Sequence, residues 1–196
     1  MTDSSALAAV GILMGGASRR MGAPKHGITL ADDSTLLDHM VAIAETVCDT
    51  IVLCGGEPVQ HAGVQINDRP GCTGPLAGID AVLHHVQQGR CLILPCDMPN
   101  LDPDDLRRLA AAESDLALFD APHGTKTRSL PLLIDAKLRP AVESAMTEQS
   151  GAVWAFIQSQ PHARIRPPAD RRSLINLNTP EELAAWLTID GGRPSQ

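Results

Sequence analysis

Aromatic side chains are scarce in this chain: two tryptophans, two phenylalanines and no tyrosine make up 2% of its 196 residues. Single-stranded nucleic acid is held by aromatic faces on which bases stack, so such a protein is not expected here. Positive charge is in deficit too. Sixteen Lys and Arg stand against 23 Asp and Glu, a formal net charge of −7. A broad basic surface for nucleic acid or anionic membrane is therefore missing, and any phosphate recognition must be local. The five cysteines (Cys48, Cys54, Cys72, Cys91 and Cys96) are odd in number and form no C-x-x-C pair. That argues against a disulfide framework or zinc module and for reduced thiols in a cytoplasmic protein. Ala6 to Met14 is apolar, but it is too short to span a bilayer and follows Asp3 instead of a basic stretch. Neither Gly-x-x-x-x-Gly-Lys-Ser/Thr nor Gly-x-Gly-x-x-Gly can be read, which excludes a P-loop NTPase and the usual dinucleotide fold. Ser18 has no nearby His and Asp in a nucleophile-elbow pattern, so hydrolase chemistry lacks support. The seven histidines show no metal-ligand spacing. His84 and His85, adjacent on a predicted helix, point about 100° apart and are expected to be exposed or half-buried.

What the chain does have is apolar content of 43% over a length suited to one domain with its own core. The expected domain is 1–189, with 190–196 a flexible tail. Apolar runs alternate with helical patterns, the signature of βαβ units and a mostly parallel sheet. Strands are expected at Ala8–Met14, Ile51–Cys54, Val64–Ile66, Cys91–Leu94, Leu116–Phe119, Leu130–Ile134 and Ile175–Asn178. The spacing of Leu36, Leu37, Met40, Ile43, Ala44 and Val47 predicts a helix capped by Ser34 and running to about Val47. Further helices are expected from Leu76 to Val86 behind Gly74-Pro75, from Asp102-Pro103, from Leu138 to Met146, from Ala152 to Ile157, and from Pro180 with Asn178 or Thr179 as cap.

The segment from Ile12 to Lys25 carries the strongest chemical signal. An apolar strand runs into Gly15-Gly16 and then into Arg19, Arg20 and Lys25. Glycines let backbone N–H groups approach phosphate oxygens, and the cations supply the charge a triphosphate requires. A surface turn with solvated arginines is the alternative, but strand, glycines, cations and a later acidic site together favour phosphate. That acidic site is Asp97, directly after the apolar run Cys91–Leu94 and its Pro95-Cys96. Ligands collect beyond the carboxyl ends of parallel strands, and magnesium is held by one or two carboxylates plus the substrate's phosphates. A turn before Met98-Pro99 is the other reading of Asp97.

The set Leu13, Gly15, Gly16, Ser18, Arg20, Met21, Gly22 and Lys25 resembles the signature loop of nucleotidyltransferases of the molybdenum cofactor guanylyltransferase kind. Three further motifs match in order: Gly74-Pro75-Leu76-Ala77-Gly78, Pro95-Cys96-Asp97-Met98-Pro99, and Asn176-Leu177-Asn178-Thr179-Pro180-Glu181-Glu182-Leu183. They span almost the whole chain. The Gly-Gly pair resembles the guanylyl branch, since related cytidylyltransferases tend to carry Ala-Ala-Gly. The resemblance implies a single-domain, Rossmann-like three-layer α/β/α fold of the nucleotide-diphospho-sugar transferase type. It implies transfer of GMP from GTP to the terminal phosphate of molybdopterin, with loss of pyrophosphate and Mg²⁺ as cofactor. Lys25, Arg20 and Asp97 become the catalytic residues, and Asp97 the metal ligand. Leu13, Met14, Gly15, Gly16, Lys25, Asp68, Gly74 and Asp97 become the nucleotide site, and Asn176 and Asn178 the acceptor site. GTP and molybdopterin are then the partners, with transient contact to molybdoenzyme maturation proteins and no nucleic acid or membrane. A cytidylyl- or sugar-phosphate nucleotidyltransferase on the same fold, or a non-catalytic nucleotide-binding partner protein, are the competing readings; intact Lys25 and Asp97 argue against the last. Two departures stand out. Cys54-Gly55-Gly56 replaces the asparagine that many relatives carry after the second strand, and Arg128-Ser129-Leu130-Pro131 replaces a Gln-Pro-Leu segment.

Overall fold

Among the described residues seven strands, β1 (Leu7–Leu13), β2 (Ile51–Cys54), β3 (Val64–Ile66), β4 (Arg90–Pro95), β5 (Leu116–Phe119), β6 (Leu132–Asp135) and β7 (Ala163–Ile165), pair into one sheet. Its order is β3-β2-β1-β4-β6-β5-β7. The computed structural model describes residues 6–15, 25–30, 33–61, 63–69, 71–120, 129–147 and 152–190. Every neighbouring pair is parallel except those made by β6, which runs against both β4 and β5. Strands covered on both faces read as unbroken apolar runs, and β2, β5 and the last five residues of β4 are wholly buried.

Side chains alternate across the pleat, so each strand feeds two cores. Val10 and Ile12 of β1, Leu92 and Leu94 of β4 and Phe119 of β5 pack against α1 (Leu36–Glu45) and α3 (Pro103–Ala110). Ala9, Leu13, Cys91 and Ile93 face the other way, toward α2 (Pro75–Val86), α4 (Arg139–Thr147) and α5 (Val153–Ser159). The result is the three-layer arrangement expected. Close approach of α2 to β1 depends on missing side chains. A Cβ at Gly11 would lie 2.8 Å from Val82 Cγ2, and one at Gly78 would lie 2.9 Å from Leu13 Cδ2. Among the described residues no helix is long and apolar enough to cross a membrane.

Several elements differ from expectation. Thr35, not Ser34, caps α1: Thr35 Oγ1 accepts the Asp38 N–H at 3.1 Å and Asp38 Oδ2 accepts the Thr35 N–H at 2.8 Å, a reciprocal capping box. The Ser34 carbonyl instead accepts the Leu30 N–H at 2.7 Å, in the short bridge between Thr29 and Thr35. The helix ends at Glu45, where Thr46 turns back and gives its hydroxyl to the Ile43 carbonyl at 2.6 Å. No strand forms at Ile175–Asn178. Both edges of β4 are already taken by β1 and β6, so that segment has no open ladder to join. It follows a 3₁₀ turn (Arg171–Leu174), to which Ile175 N–H is tied through the Arg172 carbonyl at 3.0 Å, and it reaches the β4 end by one backbone bond, Leu177 N–H to the Asp97 carbonyl at 2.8 Å. The unexpected β7 lies at the sheet edge, where its exposed Arg164 meets Asp120 at 3.0 Å and covers the Trp154 ring at 5.5 Å. A charged outward side chain is a common guard on an edge strand. Helix α6 (Pro180–Asp190) closes the described chain.

Candidate functional site

The carboxyl ends of β1, β2, β3 and β4 come out along one edge of the sheet, where an open α/β fold receives its ligand. Leu13 and Met14, at the end of β1, are buried, and the Met14 N–H donates to the Cys54 carbonyl at 2.8 Å. The next residue, Gly15, is exposed, and a Cβ there would meet nothing within 4 Å. Gly55 and Gly56 follow β2 with φ of +75° and +74°, which only glycine adopts readily. A Cβ on Gly55 would lie 3.3 Å from the Gly15 nitrogen. The two glycine corners therefore touch through backbone alone, which explains why Cys54-Gly55-Gly56 needs no polar side chain to shape this edge. Lys25 opens a 3₁₀ turn, Lys25–Gly27, and the buried His26 beside it packs on Gly56, whose Cβ would lie 3.3 Å from His26 Cε1. The backbone of Lys25 is thereby set beside the ends of β1 and β2. Gly16, Ser18, Arg19, Arg20, Met21, Gly22 and Arg128 lie outside the described residues.

Asp68, two residues beyond β3, is half-buried against Cys54 and the first turn of α2. Its Oδ1 lies 3.7 Å from Cys54 Sγ and would lie 3.7 Å from a Cβ on Gly78. Burial, and next the Asp68 carboxylate, push the Cys54 thiol up to about 12, so it stays protonated and unreactive. Gly74 caps α2 at φ +89° with no side-chain hydrogen bond, followed by Pro75, and open space lies where its Cβ would be. Backbone can be approached closely here. Leu13, Met14, Gly15, Asp68 and Gly74 thus share one edge of the sheet.

Asp97 lies at the end of β4, half-buried, in a loop pinned from two sides. His39 of α1 gives its Nε2–H to the Pro99 carbonyl at 2.8 Å, and Trp186 of α6 gives its indole N–H to Asn100 Oδ1 at 2.7 Å. The two rings meet edge to face at 5.6 Å. Asn176 closes the arrangement, donating Nδ2–H to Asp97 Oδ1 at 2.7 Å. The carboxylate expected to hold metal and the first asparagine expected on the acceptor side are therefore direct partners. Asn178 is exposed and gives Nδ2–H to the Asn176 carbonyl at 3.3 Å. Helix capping falls to Thr179, whose Oγ1 accepts the Glu182 N–H at 3.2 Å while Glu182 Oε2 accepts the Thr179 N–H at 3.1 Å and the Asn178 N–H at 2.6 Å.

A cavity of about 560 Å³ opens behind this loop, lined by His39, Asn100, Asp102, Asp170, Arg172 and Trp186 among others. Its aspartates make it a poor place for a triphosphate. One ion pair with a buried carboxylate escaped the sequence reading: Arg69 Nε donates to Oδ2 of the fully buried Asp80 at 2.5 Å, and this contact with Asp80 holds the guanidinium pKa up. An aspartate inside the apolar stripe Leu76–Leu83 was the available signal, because a carboxylate is buried only with a partner.

Comparison with known proteins agrees with this fold. Residues 10–164 match the family model described as the MobA-like NTP transferase domain. The molybdenum cofactor guanylyltransferase of Pseudomonas fluorescens (strain SBW25) is 33% identical over 190 residues, 92% of this chain and 94% of the relative. The protein of the same name from Bradyrhizobium sp. (strain ORS 278) is 33% identical over 201 residues, covering 94% of each. Among solved structures, molybdopterin-guanine dinucleotide biosynthesis protein A from Archaeoglobus fulgidus superposes with a TM-score of 0.76 at 21% identity, over 94% of this chain and 100% of that one.

Proposed function

This chain belongs to the family of MobA-like NTP transferase domains, and from that premise we propose that it transfers GMP from GTP to the terminal phosphate of molybdopterin, releasing pyrophosphate. The observation that carries this reading is the near full-length similarity, at 33% identity, to relatives named molybdenum cofactor guanylyltransferase, joined to a strand edge that gathers Gly15, Asp68, Gly74 and Asp97.

In this reading the triphosphate lies along the Gly15–Gly16 corner. Lys25 and Arg20 neutralise its charge, and the backbone of Gly15, Gly55 and Gly74 allows close approach. The acceptor phosphate, already ionised near pH 7, attacks the α-phosphorus directly, so no general base and no covalent enzyme intermediate are required. Asp97 fits a magnesium site: it is a half-buried carboxylate at a strand end, held in place by Asn176, with the remaining ligands to come from phosphates and water. A bound magnesium ion supplies charge stabilisation to the reacting phosphoryl group. Asn176, on the far side of Asp97, and Asn178 beside it face the acceptor. The enzyme works in the cytoplasm and hands its product to molybdoenzyme maturation proteins.

The test is to incubate pure protein and Mg²⁺ with each nucleoside triphosphate and molybdopterin and to measure pyrophosphate release. GTP should be the preferred donor, with release dependent on molybdopterin. A preference for CTP, or release only with a sugar phosphate, would overturn the proposal.

A further inference from the structure

Helices α2 and α4 bring together three potential metal ligands that the transfer site does not use. Asp80 and His84 are four residues apart on α2, so they project from one face, and Glu143 meets them from α4. His84 Nε2 lies 2.6 Å from Glu143 Oε1 and 3.7 Å from Asp80 Oδ1, and all three ligand atoms fall within 4.8 Å of one another. The Asp80 carboxylate is fully buried. Arg69 bonds its Oδ2, whereas Oδ1 accepts no hydrogen bond among the described residues and is turned toward His84. Leaving a buried carboxylate oxygen without a donor is costly, and this one faces an imidazole nitrogen and a second carboxylate.

We propose that Asp80, His84 and Glu143 bind a divalent cation of the zinc class at a site separate from Asp97. Tetrahedral ligands about 2.0–2.2 Å from an ion stand roughly 3.4 Å apart, and the two His84 distances of 2.6 and 3.7 Å bracket that spacing, with the two carboxylates within 4.8 Å of each other. One imidazole and two carboxylates select zinc, cobalt or manganese over magnesium, which prefers an all-oxygen shell. Charge agrees as well. Arg69 approaches both carboxylates, at 2.5 Å and 3.5 Å, but offsets only one of the two negative charges. His84 and Glu143 are each about one-third exposed, which leaves an entry path and a fourth position for water.

The experiment uses full-length protein stripped with a chelator and titrated with Co²⁺ and Zn²⁺, following the visible bands of cobalt. The expected result is one tight equivalent without a thiolate-to-cobalt charge-transfer band, retained in Asp97→Ala and weakened about 10-fold or more in both His84→Ala and Glu143→Gln. Both substitutions are at partly exposed positions, and neither residue belongs to the proposed transfer site. Wild-type affinity in either variant, loss of binding in Asp97→Ala, a thiolate band, or no binding at all would each overturn the proposal. Because the readout is binding and not turnover, it fails or stands apart from guanylyl transfer.

Discussion

Asn176 donates its Nδ2–H to Asp97 Oδ1 at 2.7 Å, joining residues 79 positions apart at the carboxyl edge of the sheet. Leu177 reinforces the link by giving its N–H to the Asp97 carbonyl at 2.8 Å. A carboxylate fixed this way presents its charge in one direction instead of sampling rotamers. Preorganisation of this kind is what a metal-assisted phosphoryl transfer needs from the protein.

The two side chains should therefore behave as a unit. Asp97→Ala is expected to lower kcat by roughly 10²–10³ while the protein stays folded, since a positioned charge stabiliser is lost and no core is emptied. Asn176→Ala removes one hydrogen bond to a charged group and should cost about 10-fold. The double variant should show a kcat no lower than that of Asp97→Ala alone, because the amide has no carboxylate left to orient, whereas its contact with the acceptor would show in KM. Steady-state kinetics of the four proteins make the check, and fully additive losses would show that Asn176 does not act through Asp97.

The strands at the heart of the sheet were legible because Ile51–Cys54, Cys91–Leu94 and Leu116–Phe119 are apolar without interruption, as buried strands must be. Gly15 and Asp97 stood out as candidates because each follows such a run, and both lie at the strand ends where the run predicts them. Ile175-Asn176-Leu177-Asn178 misled for an equally physical reason. Its alternation mimics a half-buried strand, but local pattern cannot reveal that the edges of β4 were already occupied. The pairings Asn176–Asp97 and Arg69–Asp80 depend on how distant segments fold together, so periodicity could not expose them. Edge strand β7 has three residues, one of them Arg164, too little for any apolar signal.

Lys25→Ala should weaken GTP binding about 10-fold or more and slow transfer, leaving the preference among bases unaltered. A lysine is a point charge that reads phosphate and not the purine. Nucleotide affinities measured for GTP, ATP and CTP decide the matter. A change in base preference, or no loss of affinity, would reassign the residue to holding the turn Lys25–Gly27 together.

Stability should fall in alkali through two buried thiols. Burial, followed by Asp68, pushes Cys54 up to about 12 from an ordinary 9.0, and burial, followed by Cys48, does the same for Cys91. A folded-state pKa above the unfolded one gives stability that is complete below pH 9 and lost as pH rises toward 12, because the unfolded chain sheds protons first. Each thiol contributes a slope of roughly 1.4 kcal/mol per pH unit across that window. Urea unfolding at a series of pH values should show the decline, and Cys54→Ala with Cys91→Ala should flatten it. A slope unchanged in the double variant would mean that other groups dominate.

Capping and acceptor binding can be separated at the start of α6. Thr179 and Glu182 exchange hydrogen bonds across the first turn, so Thr179→Ala should lower stability by about 0.5–2 kcal/mol with neither substrate KM altered. Asn178 is different. Its backbone N–H, not its side chain, bonds Glu182, and Ala keeps that N–H, so Asn178→Ala should leave thermal stability nearly unchanged. If its exposed amide meets the acceptor, the KM for molybdopterin rises and the KM for GTP stays put, because a donor or acceptor left unpaired is what discriminates a ligand. A shift confined to the KM for GTP would place the nucleotide at this end of the sheet instead. An equal loss of stability in both variants, with both KM values intact, would return Asn178 to a structural role and leave Asn176 alone on the acceptor side.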